Sequence, residues 1–227
     1  MTYLLVVAHP DDEVLGAGAT IHKLTQQGHT VHACILSAEV TARAHRPEDD
    51  ELASDIAASS ALIGISHRYC GSFPNIQLNN VPHLQLVQFI EKAIIESGAD
   101  VIITHHPSDT NNDHLHTSLA CQAALRLFQR RTDIKPISEL WFMEVLSSSE
   151  WNINPAAMGF VPNMFVEIGK EGIEKKIAAL ALYRGVMRPY PHPRSDEALR
   201  GLALYRGAQA GVDHAEAFQC GFRRIAD

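Results

Sequence analysis

The chain has 227 residues, 46% of them hydrophobic, with a formal net charge of −7 and a pI of about 6.0. That length suits one large α/β domain or two small ones, and the apolar content can fill a substantial core. The acidic balance argues against a general nucleic-acid or anionic-membrane binder, while local arginines still suit a small anionic ligand.

Residues 3–8 are a continuous apolar run and predict a buried strand. Residues 14–27 have helical spacing, with Val14, Ala17, Ile21 and Leu24 on one face. Residues 30–36 read as a second strand entered from Gly28. Residues 51–63 read as a helix closed by Gly64, and the acidic run 48–51 reads as its solvated start. A short strand is expected at 67–70, then a helix over 82–97 that turns Leu84, Val87, Ile90 and Ile94 inward. Residues 101–104 form the fourth expected strand, followed by a helix near 114–128 and a fifth strand at 140–145. Beyond Val145 the pattern weakens. Residues 147–162, with Trp151, Pro155 and Gly159, read as a loop near the site, 165–168 as a strand and 172–183 as a helix. Residues 189–195 are Pro-rich and turn-like, and 196–206 are helical again.

Alternating strands and helices of this length imply a Rossmann-like α/β fold, a mostly parallel sheet with helices on both faces. Such sheets bind ligands at the carboxyl ends of their strands. No repeat, low-complexity tract or long linker divides the chain. A single domain over 1–227 is expected, with the less regular part 146–227 shaping the substrate pocket.

Two polar clusters follow predicted strands. The first is Ala8-His9-Pro10-Asp11-Asp12-Glu13; the second is His105-His106-Pro107-Ser108-Asp109-Thr110-Asn111-Asn112-Asp113-His114. A buried strand that stops in a histidine and three carboxylates is not placing them there for packing. Histidine and aspartate suit a borderline metal such as zinc, and an adjacent aspartate suits the proton of an activated water. Two strand ends with complementary ligand types suggest one site. A polar turn with first-turn helix acids accounts for Asp12 or Glu13, but not for His9 and the second cluster together. Gly16 and Gly18 hint at a dinucleotide loop without the full G-x-G-x-x-G, and there is no G-x-S-x-G elbow. A metal-free nucleotide-binding Rossmann module is the alternative from another class.

Cys34, Cys70, Cys121 and Cys220 form no C-x-x-C pair and read as free thiols in a reducing compartment. No basic leader precedes the first apolar run and no segment is long enough to span a bilayer. The expectation is a cytoplasmic protein.

The first cluster resembles the A-H-P-D-D-E signature of the PIG-L/LmbE-like zinc-dependent N-acetylglucosamine deacetylases. The pattern His106-x-x-Asp109-x-Asn111-x-Asp113-His114 resembles the second signature of that family, and the likeness extends over nearly the whole chain. Phe73-Pro74-Asn75, His192-Pro193-Arg194-Ser195, Arg206-Gly207 and Ala215-Glu216-Ala217-Phe218 resemble further family features, each weak alone. The resemblance implies that His9, Asp12 and His114 bind zinc or another divalent metal, and that Asp11 is the general base. Three protein ligands leave the open position that a catalytic zinc needs. Asp113 beside His114 is expected to orient a ligand, so Asp11 and Asp113 enter the candidate catalytic set with His192. Some relatives carry a histidine where this chain has Asn111, which makes His192 the expected replacement proton donor or substrate contact. His116 is expected to point away from His114, and His106 either lines the pocket or is structural. Arg194 and Arg206 are candidate partners of a phosphate or carboxylate, or plain salt-bridge residues. The resemblance implies deacetylation of a small amino sugar conjugate, and members of the family often assemble into homo-oligomers, while the acidic charge and the lack of a long apolar segment imply no nucleic-acid partner and no membrane insertion. Hydrolysis of another N-acyl substrate is the nearest alternative.

Overall fold

A computed structural model describes residues 1–39, 48–153 and 158–225. The expected Pro155 of the loop falls outside the described residues. Seven strands, β1 (Thr2–Val7), β2 (Thr30–Ile35), β3 (His67–Cys70), β4 (Val101–His105), β5 (Glu139–Met143), β6 (Met164–Glu167) and β7 (Ala215–Arg223), form one sheet in the order β3-β2-β1-β4-β5-β7-β6. The first five are parallel, whereas β7 runs antiparallel to both β5 and β6. The mostly parallel α/β expectation is therefore observed.

Among the described residues six α-helices cover the sheet: α1 (Asp12–Gln26), α2 (Asp49–Ile63), α3 (His83–Ser97), α4 (Asn112–Ala124), α5 (Gly169–Ala181) and α6 (Asp196–Ala210). The continuous apolar run of β1 is explained by two cores. Tyr3, Leu5 and Val7 pack with α1, α2, α5 and α6, whereas Leu4, Val6 and Ala8 pack with α3 and α4. A central parallel strand is buried on both faces, so alternation disappears.

The structure departs from the expected elements at four points. Leu84 is 60% exposed, and Leu86 takes the inward place with Val87, Ile90 and Ile94. The helix expected near 114–128 starts earlier, at Asn112, and ends at Ala124 before a 3₁₀ turn, Leu127–Gln129. β7 was not foreseen as a strand, because the sequence signal of residues 215–223 is mixed. Gly16 belongs to no phosphate loop: a Cβ there would lie 2.2 Å from the Met143 sulfur, so α1 sits directly on β5.

Helix α1 is interrupted at Ala17 (φ −146°, ψ 15°). The N–H groups of Ala19 and Thr20, released by that break, donate to the Glu216 carboxylate at 3.2 and 2.7 Å. Lys176 from α5 donates to the same carboxylate at 2.7 Å, and both ionic side chains are buried. Glu216 thus satisfies a helix break while its own charge is balanced. No helix among the described residues is long and apolar enough to cross a membrane. All four cysteines are free, with Cys34 and Cys121 buried.

Candidate active site

β1 and β4 are neighbours at the point where the sheet order reverses, with β2 on the far side of β1. The crevice outside their carboxyl ends is where such sheets bind ligands. His9, Asp11 and Asp12 lead from β1 into α1, and Asp109, Asn111, Asp113 and His114 lead from β4 into α4. Asn111 caps α4: its side chain accepts the Asp113 N–H at 2.9 Å, while its own N–H donates to Asp109 Oδ1 at 2.9 Å. That turn puts Asp113 and His114 in the first turn of α4, against the end of β1.

His9 Nδ1 lies 3.3 Å and His114 Nε2 3.2 Å from Asp12 Oδ2. Ligands about 2.0–2.1 Å from a tetrahedral zinc stand about 3.3 Å apart, so these two spacings fit a shared ion. The outward nitrogens are held by carboxylates, His9 Nε2 by Asp113 at 2.9 Å and His114 Nδ1 by Asp109 at 3.2 Å. Such contacts fix the ring orientation and turn the other nitrogen toward a metal. Asp113 is itself fixed by the N–H groups of Ile76 and Leu78 at 2.6 and 3.0 Å. His9, Asp12 and His114 are all buried, and one donor atom from each lies within 4.8 Å of the others.

In a second grouping, His105, Asp109 and His114, one nitrogen or carboxylate oxygen from each residue likewise lies within 4.8 Å of the others. His105 Nε2 and both Asp109 oxygens are already engaged, while His105 Nδ1 is buried without a hydrogen bond. The Ala8 N–H donates to His105 Nε2 at 2.9 Å, and the His105 ring stacks on His114 at 3.8 Å. Asp109 accepts from Asn111, His114, the Ser148 hydroxyl and, at 2.7 Å, the Ser149 hydroxyl. The first grouping is the better cation site.

The protonation pattern of the metal-free cluster follows from this crowding. Burial disfavours a charged His114, yet Asp12 and Asp109 outweigh it and lift its pKa to about 10. Burial likewise pushes the Asp12 carboxyl upward, but His114 and His9 hold it well below the usual carboxylate range. Asp109, against burial, is drawn down to about 2, chiefly by His114. His105 is pushed down to about 3 by burial and by His114. Glu13, whose burial dominates over its hydrogen bond from Tyr183, is lifted to about 8.

Asp11 is fully buried, and its Oδ2 lies 3.2 Å from Arg194 Nη1. Ser147 Oγ accepts from Arg194 Nε at 2.8 Å and so aims the guanidinium. Among the described residues, Asp11 (φ 98°), Ile76 (φ 59°) and Ser147 (φ 77°) are the non-glycine residues with positive φ. Each costs about 1–3 kcal/mol of backbone strain. All three belong to this site: Asp11 itself, the residue whose N–H holds Asp113, and the residue that holds Arg194.

Beside the cluster opens a cavity of about 730 Å³, bordered by Asp109, Asn111, Ser148, Trp151, Ile153 and Arg194, among others. His9, Asp11, Asp12, Asp113 and His114 are thus brought together. His192 is exposed, and its Nδ1 accepts the Arg194 N–H at 3.0 Å rather than joining the cluster. His106 turns toward β7, where its Nε2 meets Gln219 at 3.0 Å. Arg206 pairs with both Glu144 oxygens at 2.8 and 2.7 Å, a salt bridge within the fold. Ser148, Ile76 and Tyr183 carry no motif and were not foreseen; only folding brings them to the site.

A family model described as PIG-L, GlcNAc-PI de-N-acetylase, matches residues 4–125, just over half of the chain. The chain is 24% identical over 186 residues to the uncharacterized deacetylase YaiS of Escherichia coli K12, covering 80% of this chain and 89% of that protein. Among solved structures it resembles the N,N′-diacetylchitobiose deacetylase of Pyrococcus horikoshii, with TM-score 0.77, 19% identity and coverage of 96% and 83% of the two chains. It also resembles GalB, the 4-carboxy-2-hydroxymuconate hydratase of Pseudomonas putida KT2440, with TM-score 0.75, 21% identity and coverage of 100% and 98%. A fold shared by a deacetylase and a hydratase does not select the reaction; the site residues must.

Proposed function

Because the chain belongs to the PIG-L de-N-acetylase family, we propose that it is a zinc-dependent hydrolase that removes the N-acetyl group of an N-acetylglucosamine-type conjugate, releasing acetate and a free amine. The observation that supports this most is the convergence of His9, Asp12 and His114 beside Asp11, with both histidines backed by carboxylates.

His9, Asp12 and His114 are assigned to hold the ion. A zinc ion held there would supply Lewis acidity toward the acyl carbonyl and the attacking water. Asp11 takes the proton of that water and returns it to the departing amine. Arg194 keeps the Asp11 carboxylate oriented and adds positive charge where an oxyanion develops. Asp113 orients His9, and Asp109 orients His114. The Asn111 side chain is engaged as the α4 cap, so it is not assigned proton transfer. His192, on the same turn as Arg194, is assigned a substrate contact. Trp151 and Ile153 offer apolar surface and Asn111 and Asn152 offer amides, a mixture suited to a sugar face and its hydroxyls. Ser147, Ser148, Trp151, Ile153 and Arg194 line the cavity, which supports a single domain whose 146–227 part shapes the pocket. Four free cysteines support a cytoplasmic setting.

The test is metal content of the purified protein together with acetate release from a panel of N-acetylglucosamine conjugates that includes N,N′-diacetylchitobiose, before and after chelation. About one divalent ion per chain, with release abolished by chelator and restored by zinc, is expected. Bound metal with release of a different acyl group would redirect the substrate assignment. A chain that cannot be loaded with metal would overturn the proposal.

A further inference from the structure

Glu13 and Tyr183 have no part in the roles assigned above, and they meet. Glu13 is fully buried in the first turn of α1, and Tyr183, just beyond α5, is 2% exposed. The Tyr183 hydroxyl donates to Glu13 Oε1. The other carboxyl oxygen, Oε2, accepts the backbone N–H of Asp11 at 3.1 Å. The Asp11 carbonyl is fixed from the other side by the N–H groups of Val14 and Leu15 at 3.1 and 2.8 Å. Asp11 sits at φ 98°, a left-handed conformation that a non-glycine residue keeps only when its surroundings over-determine it.

Tyr183 is well placed to impose that order. The next residue, Arg184, donates its N–H to Asp55 Oδ2 at 3.1 Å, and Ser59 donates to the Ala179 carbonyl at 3.0 Å, so α2 clamps the end of α5. From Tyr183 the chain runs on to Arg194, which reaches the Asp11 carboxylate. One segment therefore grips Asp11 twice, at the amide through Glu13 and at the side chain through Arg194.

We propose that the Glu13–Tyr183 pair is a positioning device for Asp11, holding its strained backbone so that its carboxylate faces the reacting water. This rests on the reading of Asp11 as the base. A pair that merely ties α1 to α5 would affect stability and leave Asp11 where it is.

Two readouts separate these cases. The first is hydrogen exchange of the Asp11 amide, followed by NMR in the zinc-free protein. Loss of one hydrogen bond corresponds to about tenfold in local opening, so Tyr183→Phe and Glu13→Ala should exchange about tenfold faster. Glu13→Gln should stay close to wild type, because its amide oxygen accepts the Asp11 N–H and its NH2 group donates to Tyr183. The second is acetate release by zinc-loaded protein. Tyr183→Phe should lower kcat about tenfold with KM and zinc content unchanged, as expected for a misplaced base. Unchanged Asp11 exchange in Tyr183→Phe overturns the proposal, and so does faster exchange with unaltered kcat. If wild-type protein neither binds zinc nor releases acetate, the proposed function fails, while the exchange measurement still decides whether the pair holds Asp11.

Discussion

Replacing Asp113 by Asn separates the support of the proposed metal site from the chemistry. Asp113 Oδ2 meets His9 Nε2 at 2.9 Å and the Ile76 N–H at 2.6 Å, and Oδ1 accepts the Leu78 N–H at 3.0 Å. An asparagine oxygen can keep the first two contacts. Its NH2 group then faces the Leu78 N–H, donor against donor, in a buried position. Leaving that backbone N–H without an acceptor costs about 1–3 kcal/mol. For a domain of this size that is a fall in Tm of roughly 3–10 °C. The lost negative charge also leaves His9 less basic and less well oriented, which should weaken metal binding about 10–100-fold. Thermal unfolding of the metal-free variant reads the first effect, and competition for zinc with a chromophoric chelator reads the second. Unchanged zinc affinity, within about twofold, would refute the idea that Asp113 orients a ligand, since such partners carry at least tenfold.

Asp11→Asn should lower kcat about 10²–10⁴-fold while the zinc content stays near that of wild type; full activity would remove Asp11 as the base. Zinc affinity should rise about tenfold per pH unit through neutrality, because the ion must displace the proton of His114, whose pKa lies near 10 in the metal-free protein; calorimetry in buffers of different ionisation enthalpy counts that proton, and none released would contradict the assignment. The same shift has a stability consequence: His114 is raised from 6.5 to about 10, so its contribution is complete below pH 6.5 and fades as pH climbs toward 10. The metal-free protein should therefore melt at a lower temperature at pH 9 than at pH 6, and a flat profile would count against the His114–carboxylate cluster. Glu216→Ala should destabilise by about 3–5 kcal/mol in urea unfolding, since it strands the buried Lys176 charge. It also leaves the Ala19 and Thr20 N–H groups without their acceptor. A cost below about 1 kcal/mol would mean that water replaces the carboxylate.

The sequence determined the parallel core directly. Hydrophobic runs at residues 3–8, 30–36 and 101–104 are long enough and apolar enough to be central strands, and the helices between them carry a 3.6-residue apolar period. It also named the groups that cluster at the candidate site, because His9, Asp11 and Asp12 follow β1 directly, and Asp113 and His114 open α4, the helix that follows β4. Their placement at the strand ends follows from local chain geometry and the strand order. Strand β7 was hidden for the opposite reason: its inner half is buried and its outer half exposed, so no single period marks it.

Only tertiary structure decided what holds those groups in place. Glu216 reaches α1 from almost two hundred residues away, Tyr183 reaches Glu13 from just beyond α5, and Arg194 reaches Asp11 from the turn before α6. Local sequence reports propensity and periodicity, which act over a few residues. Local bonds from Glu13, Val14 and Leu15 hold the Asp11 backbone, but the bonds from Tyr183 and Arg194 are made between segments that meet only when the sheet closes, so no spacing in the chain encodes them.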